Sequence, residues 1–212
     1  MQFGHFDDEK REYVIETPRT PYPWINYLGS EKFFSLISNT TGGYSFYTDA
    51  RLRRLTRYRY NDMPLDNNGH YFFIKDADTI WNPGWQPCQT ELDSYECRHG
   101  FGYSKFTSKK KDLKAEALYF VPNGENCEVE MITLKNEGSA TKNVSLVSFV
   151  EWCLYNASDD CQTSKETFLL VKLKLKEVQF ITKQNIVNAV ITLHSILVMK
   201  KLTDLIQTAK LS

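Results

Sequence analysis

The chain has 212 residues, enough to bury one substantial core, and it carries 26 basic and 26 acidic side chains. A formal net charge of zero gives no overall attraction to nucleic acid or to anionic membranes, so neither is expected as a partner. No apolar run approaches the roughly 18 residues of a membrane-spanning helix, and residues 1–10 lack the apolar segment of a secretory signal. The five cysteines have no CxxC spacing, which favours reduced thiols in a cytoplasmic protein over disulfides.

The first half of the chain alternates short β-type runs with turn residues. The predicted strands lie at 33–38, 44–47, 58–60 and 71–74, and the predicted turns lie at 40–43 and 66–69. The segment 81–87, Trp-Asn-Pro-Gly-Trp-Gln-Pro, is too rich in proline and glycine for a helix or for the middle of a central strand.

The same pattern continues to about residue 160. Further strands are predicted at 115–121, 128–134 and 144–150, separated by turns at 122–124 and 136–138. Nothing resembles the alternation of strands and helices that builds a parallel sheet. Regular short strands with Gly, Pro and Asn turns therefore predict a mainly β chain folded as a large antiparallel β-sandwich.

Residues 163–212 have a different composition. They hold eight lysines, no arginine and three acidic residues, a net charge of +5, and none of the chain's glycines, prolines, tryptophans or tyrosines. Residues 171–176 alternate like one isolated strand, whereas the apolar residues between Ile186 and Ile206 come close to helical spacing. A boundary is therefore predicted between residues 1–162 and residues 163–212, the latter forming a tail that is strand-like and then helical or disordered.

Three segments before that boundary carry a specific resemblance. They read Tyr22-Pro-Trp-Ile-Asn-Tyr-Leu-Gly29, Ser38-Asn-Thr-Thr-Gly-Gly-Tyr-Ser-Phe-Tyr47 and Glu151-Trp-Cys-Leu-Tyr-Asn156. This wording resembles the N-terminal part of the cellobiose phosphorylases in glycoside hydrolase family 94, formerly glycosyltransferase family 36. The resemblance covers residues 1–162 and implies a β-sandwich of the galactose mutarotase-like, super-sandwich type. That sandwich would be incomplete, because the family sandwich continues beyond this point.

The resemblance also implies a reaction. Such family members convert cellobiose and phosphate to glucose and α-glucose 1-phosphate by inverting phosphorolysis, and relatives specific for cellodextrin or chitobiose share the architecture. Inorganic phosphate is a co-substrate there, and no cofactor is implied. The family's catalytic aspartate and phosphate-binding residues lie in a helical barrel C-terminal to the residues present here. No catalytic residue is therefore assigned, and the chain alone is expected to be inactive. The alternative is a non-catalytic carbohydrate-binding or dimerisation β-sandwich module.

The tail is hypothesised to be an out-of-frame product. Synonymous codons for residues 180–192 can be read in a shifted frame as YHKTEYRERRNH, a string that resembles the continuation of the family sequence. The freedom of this reading is limited, because the last two bases of each shifted codon are mostly fixed by the next residue. A single-base slip near Cys161 or Gln162 would explain the boundary. The alternative is a genuine short C-terminal helix.

Aromatic side chains are candidates for contact with a sugar, because a pyranose has an apolar face that stacks on a ring. Tyr44 and Tyr47 are predicted to be substrate-proximal, and Trp81 and Trp85 are weaker candidates. The alternative for each is a place in the core, where most aromatic residues of a β-rich chain lie.

Polar residues near the boundary are the second group of candidates. In family 94 the enzyme is a homodimer whose N-terminal sandwich helps to shape the entrance of the partner's active site. By that resemblance Asn156, Asp159 and Asp160 are predicted to form part of the entrance and to hydrogen-bond sugar hydroxyls, the alternative being an ordinary surface loop. The adjacent acids are not expected to act as an acid–base pair, since neighbours along a chain rarely point at the same atom.

Two further patterns are interpreted as structural. A basic cluster surrounds Tyr58 and comprises Arg51, Arg53, Arg54, Arg57 and Arg59. Nucleic-acid binding is one interpretation, but a solvated strand face or a subunit contact is favoured. The four histidines are scattered along the sequence without ligand spacing, so no metal site is predicted.

Overall fold

The computed structural model describes residues 2–59, 66, 68–162, 179–183, 186–194 and 208–210. Side chains are described within the first three of these ranges, apart from those of residues 154, 155 and 162. The described residues form seventeen β-strands and one short helix, which confirms the predicted mainly β class. None of the described helical structure has the length and apolar character needed to cross a bilayer.

The strands follow one another closely along the chain. Those in the first third are β1 (Gly4–Asp7), β2 (Glu12–Ile15), β3 (Ile25–Gly29), β4 (Phe33–Ser38), β5 (Gly43–Tyr47) and β6 (Arg54–Thr56). The middle of the chain forms β7 (His70–Asp76), β8 (Thr79–Trp81), β9 (Ser94–Gly100), β10 (Tyr103–Lys110), β11 (Leu113–Phe120), β12 (Cys127–Asn136) and β13 (Val144–Val150). The last part forms β14 (Trp152–Tyr155), α1 (Ala157–Gln162), β15 (Gln179–Lys183), β16 (Ile186–His194) and β17 (Thr208–Lys210).

These strands assemble into three antiparallel sheets. The largest has eight strands in the order β1-β2-β9-β10-β11-β12-β16-β15. A four-stranded sheet has the order β17-β13-β7-β8, and a five-stranded sheet has the order β14-β6-β5-β4-β3. Every residue pairing between neighbouring strands is antiparallel, as the sequence predicts.

Alternation of side chains along β10 and β11 defines the inner and outer faces of the large sheet. Successive residues of both strands switch between buried and partly exposed positions, the period-two pattern of a half-buried strand. Phe106 and Ala117 pair on the inner face and are fully buried. On the outer face Glu116 lies 3.2 Å from the ammonium group of Lys105 and 2.8 Å from that of Lys114.

The hydrophobic core lies where the inner face of the large sheet meets the two smaller sheets. The large sheet contributes Ile15, Phe106, Tyr119 and Ile132, the five-stranded sheet contributes Leu28, Phe33 and Ile37, and the four-stranded sheet contributes Phe72, Ile74, Trp81 and Leu146. Burial of each large apolar side chain contributes roughly 1.5–3 kcal/mol. The three sheets therefore share one core, and the predicted sandwich is confirmed.

Most predicted strands of the first 150 residues are present in the structure, and the strand predicted at 58–60 is absent from the part of it that the structure describes. The predicted strand at 33–38 is β4, and those at 44–47, 71–74, 128–134 and 144–150 lie within β5, β7, β12 and β13. The strand predicted over 58–60 is wrong for Tyr58 and Arg59, since β6 ends at Thr56, and Tyr60 lies outside the described residues. The physical reason is that side chains after β6 bond to Asp66 and Asp160 instead of continuing a backbone ladder.

The tail differs from its prediction as well. The helix expected from the spacing after Ile186 is wrong for Ile186–His194, which forms β16 and pairs with β12 over nine residues. The run is rich in β-branched residues, and its pairing with β12 supplies the backbone hydrogen bonds that a helix would otherwise supply. Residues 171–176 and the remaining apolar positions of the predicted helix lie outside the described residues.

Candidate functional site

The first family segment, residues 22–29, joins the five-stranded sheet to the large sheet. The Asn26 amide on β3 donates to the carbonyl oxygens of Gly100 and Tyr103, at 3.0 and 2.9 Å. The same amide lies 3.2 Å from the Ser104 hydroxyl. One side chain thus satisfies the carbonyls at the tight connection between β9 and β10, which explains why an asparagine stands in this strand.

His99 lies beside this junction, half-buried between the two sheets. Its Nε2 donates to the Trp24 carbonyl oxygen at 3.1 Å, so Nδ1 is the unprotonated nitrogen and accepts from the Ser104 hydroxyl at 2.9 Å. Burial lowers the pKa of His99 from 6.5 to about 4, although the Trp24 carbonyl opposes this shift. The imidazole is therefore neutral at pH 7 and acts as a structural bridge.

Because its pKa is lowered on folding, His99 should destabilise the protein in mild acid. Its contribution is present above pH 6.5 and is lost as the pH falls toward about 4. The full pKa difference between the unfolded and folded states corresponds to ~3 kcal/mol of unfolding free energy. Because water reaches part of the ring, the expected loss of unfolding free energy in acid is about 2 kcal/mol. Urea unfolding at pH 7 and pH 5 should show a smaller pH dependence for His99→Gln than for the natural chain. His5→Gln, at an exposed histidine, is the control for removing an imidazole that does not bridge the two sheets.

The second family segment contains the Ser38–Gly43 turn, which connects β4 to β5 and contacts the other two sheets. The Gly43 amide donates to the Asn68 carbonyl oxygen at 3.0 Å, next to the start of β7 in the four-stranded sheet. The Tyr95 hydroxyl on β9 of the large sheet donates to the Asn39 carbonyl oxygen. The turn is therefore one point at which all three sheets are tied together.

A buried carboxylate, Asp66, fixes the conformation of this turn. The hydroxyls of Ser38 and Thr40 both donate to its Oδ2, and the Tyr58 hydroxyl donates to its Oδ1 at 3.0 Å. The residue is 4% exposed. Burial raises the pKa of Asp66, and the three hydroxyl donors oppose that shift by stabilising the charged form. We call Ser38, Thr40, Tyr58 and Asp66 the hydroxyl–carboxylate cluster.

The third family segment leads from β13 into α1. Glu151 accepts a hydrogen bond from the Asn68 amide at 3.0 Å, which connects this segment to the turn before β7. Asn156 precedes the helix, and its Oδ1 accepts from the Ser158 amide at 3.0 Å. That contact is an N-cap, which satisfies one of the free donors at the start of a helix. Asn156 Nδ2 also donates to Asp159 at 2.9 Å.

The basic cluster and the predicted entrance loop meet at one place, which we call the β6–α1 edge and define as residues 51–59 with 156–160. The Arg57 guanidinium binds Asp160 through Nε, at 2.9 and 3.0 Å from its two oxygens, and through Nη2 at 2.6 Å. These bonds raise the pKa of Arg57 further above its usual value. Arg51 Nε donates to the Ser158 hydroxyl at 3.1 Å.

Replacing Arg57 by alanine should cost about 1–2 kcal/mol of unfolding free energy. The change leaves Asp160 without its bidentate partner, and the pair is sufficiently buried, at 28% and 12% side-chain exposure, for the charge-assisted bonds to matter. Urea denaturation of Arg57→Ala, Asp160→Asn and the double variant should give a coupling energy of about 1 kcal/mol. Arg51→Ala is the matched control with an exposed neutral contact, and an equal loss there would contradict the assigned role of the pair.

The two predicted tyrosines lie at the same edge, with arginines over their rings. The Arg54 guanidinium lies 3.6 Å from the centre of the Tyr44 ring, and that of Arg53 lies 5.9 Å from the Tyr47 ring. Tyr44 is 8% exposed, whereas Tyr47 is half-buried. A sugar stacked on Tyr44 would have to displace the arginine, a cation–π contact worth about 0.5–2 kcal/mol. Their sugar contact remains a prediction.

The two tryptophans have different surroundings. Trp81 is fully buried in the core at the end of β8, so neither face of its ring is open to a sugar. Trp85 is partly exposed, and the Arg19 guanidinium lies 5.6 Å from the centre of its ring. Between Trp81 and Trp85 the chain turns through residues 82–84 without forming a helix, as the proline and glycine content predicts.

The five cysteines are free thiols. Burial raises the pKa of Cys88 to about 11 and that of Cys153 to about 12, so both thiols stay protonated at neutral pH. Burial also raises the pKa of Cys97 far above its usual value. Since the thiolate is the reactive form, these residues are packing groups and not nucleophiles.

Sequence reasoning did not identify the hydrogen-bond and ion-pair partners of the residues in the family segments and in the basic cluster. Ser38 and Asp66 are separated by 28 positions, and Arg57 and Asp160 by 103. A further group, His70 with Glu128 and Glu130, is fully buried between β7 and β12. The one local signal for this group was the position of Glu128 and Glu130, two residues apart and therefore on the same face of a strand. Acidic side chains on one face of a strand either lie in water or are buried beside a partner group.

The chain has relatives of known name. Residues 11–199 match the family described as "Glycosyl hydrolase 94, supersandwich domain". An N,N'-diacetylchitobiose phosphorylase of Vibrio proteolyticus is 41% identical over 166 residues, which is 76% of this chain and 21% of the relative. Two proteins of Paenibacillus borealis follow. They are a 3-O-beta-D-glucopyranosyl-beta-D-glucuronide phosphorylase, 34% identical over 79% of this chain and 21% of the relative, and a solabiose phosphorylase, 32% identical over 72% and 20%.

The chain spans about a fifth of the length of these relatives. The family match begins at residue 11 and runs past Gln162 to residue 199, and it agrees with the three-sheet β architecture. The resemblance inferred from residues 22–29, 38–47 and 151–156 is confirmed at the level of the family. The chain belongs to glycosyl hydrolase family 94 and carries its supersandwich domain.

Proposed function

We propose that this chain is the N-terminal supersandwich part of a disaccharide phosphorylase whose substrate is cellobiose. The observation that carries the proposal is the family match over residues 11–199, together with relatives that are named as phosphorylases of three different disaccharides. In the proposed reaction an acid protonates the glycosidic oxygen, and phosphate attacks the anomeric carbon from the opposite face. Cellobiose would give glucose and α-glucose 1-phosphate.

The chain is proposed to shape the entrance of the active site and not to supply catalytic groups. Within the residues that the structure describes, the helical content is α1, six residues long, so a helical catalytic barrel would have to come from elsewhere in the enzyme. The acids of the β6–α1 edge already have partners, such as Arg57 for Asp160, which suits a rigid surface better than proton transfer. We place the catalytic acid and the phosphate site outside this chain.

A reading-frame shift near Gln162 is part of this proposal, and it competes with the family match, which continues in the present frame to residue 199. It is supported by the composition of residues 163–212, with eight lysines and no glycine, proline, tryptophan or tyrosine. Sequencing of the gene across codons 155–215 and beyond should reveal an extra or missing base that restores YHKTEYRERRNH in a long open frame. An unaltered base sequence ending in a genuine stop would contradict the shift and leave the family assignment intact.

The substrate can be tested on the frame-restored protein. We expect phosphate-dependent release of glucose from cellobiose to exceed cleavage of N,N'-diacetylchitobiose, whereas the 212-residue chain alone should release no phosphate from α-glucose 1-phosphate and glucose. Preference for diacetylchitobiose would overturn the substrate and keep the reaction. Turnover by the 212-residue chain would overturn the placement of the catalytic groups.

A second role is proposed for the β6–α1 edge, namely contact with a partner subunit and with the sugar at its active-site entrance. At the edge Asn156 bonds to Asp159, which is exposed, and Arg53 lies over the ring of Tyr47 on the neighbouring strand β5. Calorimetry with millimolar cellobiose tests sugar binding, and sedimentation tests self-association. Absence of both would count against this role. The free thiols support a cytoplasmic location, which we include in the proposal.

A further inference from the structure

Three side chains with metal-binding atoms converge at the junction of the sheets. His70 is the first residue of β7, and Glu128 and Glu130 stand on the same face of β12. All three side chains are 0% exposed. His70 Nε2 lies 3.3 Å from Glu128 Oε1 and 3.9 Å from Glu130 Oε1, and one potential ligand atom of each residue lies within 4.8 Å of the others.

The hydrogen bonds of this cluster do not satisfy its polar atoms. The Ser35 hydroxyl on β4 donates to Glu128 Oε1 at 2.9 Å. Among the residues that the structure describes, the other oxygen of Glu128, both oxygens of Glu130 and both ring nitrogens of His70 have no hydrogen-bond partner. The ion-pair contacts involve His70 Nε2, Glu128 Oε1 and Glu130 Oε1, so three atoms have neither a hydrogen bond nor an ion pair among the described residues: His70 Nδ1, Glu128 Oε2 and Glu130 Oε2. Buried polar side chains are almost always paired, so three such atoms in one fully buried group require an explanation.

A divalent cation would satisfy both the geometry and the charge. Two carboxylates, one neutral imidazole and a divalent ion sum to zero, which removes the cost of leaving net charge in the core. Tetrahedral ligands at the bond lengths of zinc are separated by about 3.3 Å. The His70–Glu128 distance is 3.3 Å, and the His70–Glu130 distance is 3.9 Å, so Glu130 would move closer when an ion binds. Imidazole and carboxylate donors without thiolate suit zinc or manganese.

We propose that His70, Glu128 and Glu130 bind a structural divalent transition-metal ion, zinc in the first instance, that joins β7 of the four-stranded sheet to β12 of the large sheet. Ser35, from the five-stranded sheet, orients Glu128, so the ion would sit where the three sheets meet. The ion would be acquired during folding, because the closed core offers the site only as the sheets assemble. The scattered histidines predicted no metal site, since the ligands come together only in the fold. This inference is independent of the disaccharide that the enzyme cleaves.

The competing arrangement is a cluster that shares protons and binds no metal. Burial opposes a charge on His70, but the adjacent Glu128 and Glu130 raise the pKa of His70 to about 9. Burial raises the pKa of Glu130 to about 7. In the proton-sharing arrangement the cluster would hold protons in place of the ion. The metal-bound and proton-sharing arrangements can therefore be distinguished by the metal content of the protein.

The test is the metal content of the 212-residue chain, purified without a polyhistidine tag and dialysed against trace-metal-free buffer. We expect one equivalent of zinc per chain by mass spectrometry of elements, with an X-ray absorption spectrum of nitrogen and oxygen ligands and no sulfur. Zinc added after chelator treatment should raise Tm by roughly 5–10 °C at a hundredfold excess over Kd. Glu130→Gln should abolish the stoichiometric zinc and the shift in Tm.

Two variants keep the result interpretable. Glu12→Gln alters another buried carboxylate, one already paired with Arg98 at 2.8 Å, and should retain the metal. If Glu130→Gln does not fold, Ser35→Ala should still fold and bind zinc about tenfold more weakly. A folded natural chain that holds no stoichiometric metal and whose Tm is unmoved by zinc or manganese would overturn the proposal and establish the proton-sharing cluster.

Discussion

Replacing Asp66 by alanine is expected to lower the free energy of unfolding by about 4 kcal/mol. The change removes the acceptor of the Ser38, Thr40 and Tyr58 hydroxyls, two of them fully enclosed in the Ser38–Gly43 turn. Each donor left without a partner costs about 1–3 kcal/mol if water cannot replace the lost bond. Asp66 also has a φ of 64°, where alanine is less tolerated than aspartate. The midpoint and slope of a urea titration measure the loss.

Two conservative variants separate the contributions to that loss. Asp66→Asn tolerates the same backbone conformation but turns one acceptor oxygen into a donor, so about half the loss of Asp66→Ala is expected. Tyr58→Phe removes a single donor and should cost about 1 kcal/mol. If Asp66→Ala were no worse than Tyr58→Phe, the hydroxyl–carboxylate cluster would not be what stabilises the turn. Asp66 would then be a polar residue tolerated at a sheet junction.

Local sequence patterns were sufficient for short apolar strands bounded by turn residues. Residues 33–38 and 144–150 were predicted as such runs, and the Thr40–Gly43 turn was predicted from its glycines. The helix expected after Ile186 was wrong because a short run of β-branched apolar residues fits both periods, and only its pairing with β12 decides between them. Such pairing is a tertiary property, which no local window contains.

The candidate site was less predictable than the fold for the same reason. Tyr44 was a candidate because aromatic rings stack on sugars, and Asn156 and Asp160 were candidates by family resemblance. The environment of Asp160 depends on Arg57, 103 positions away in the sequence. Asp160 is occupied by Arg57, and the Tyr44 ring is covered by Arg54. In the basic cluster, which suggested nucleic acid or a solvated face, Arg57 is paired with Asp160 of α1. Residue type shows which chemistry a side chain can perform, whereas its contacts in the fold determine whether it is available to a ligand.

Substituting alanine for Gly43 is expected to cost about 3 kcal/mol or more, because the first residue of β5 has no room for a side chain. A Cβ there would overlap the Leu36 carbonyl oxygen and approach its carbonyl carbon to 2.8 Å. The φ of Gly43 is 153°, a conformation that residues with a Cβ rarely adopt. The strain cannot be relieved by a side-chain rotation, since the obstacle is the backbone of β4.

Gly102 supplies the matched control for this prediction. Its φ is 80°, also in the positive region, yet a Cβ at that position would meet no atom of the described part of the chain within 4 Å. Gly102→Ala should therefore cost about 1 kcal/mol from backbone strain alone. Urea denaturation followed by tryptophan fluorescence measures both variants. Equal losses would mean that the Ser38–Gly43 turn can move away from β4 at little cost. A much larger loss at Gly43 would mean that this glycine of the family segment serves the close approach of β5 to the backbone of β4.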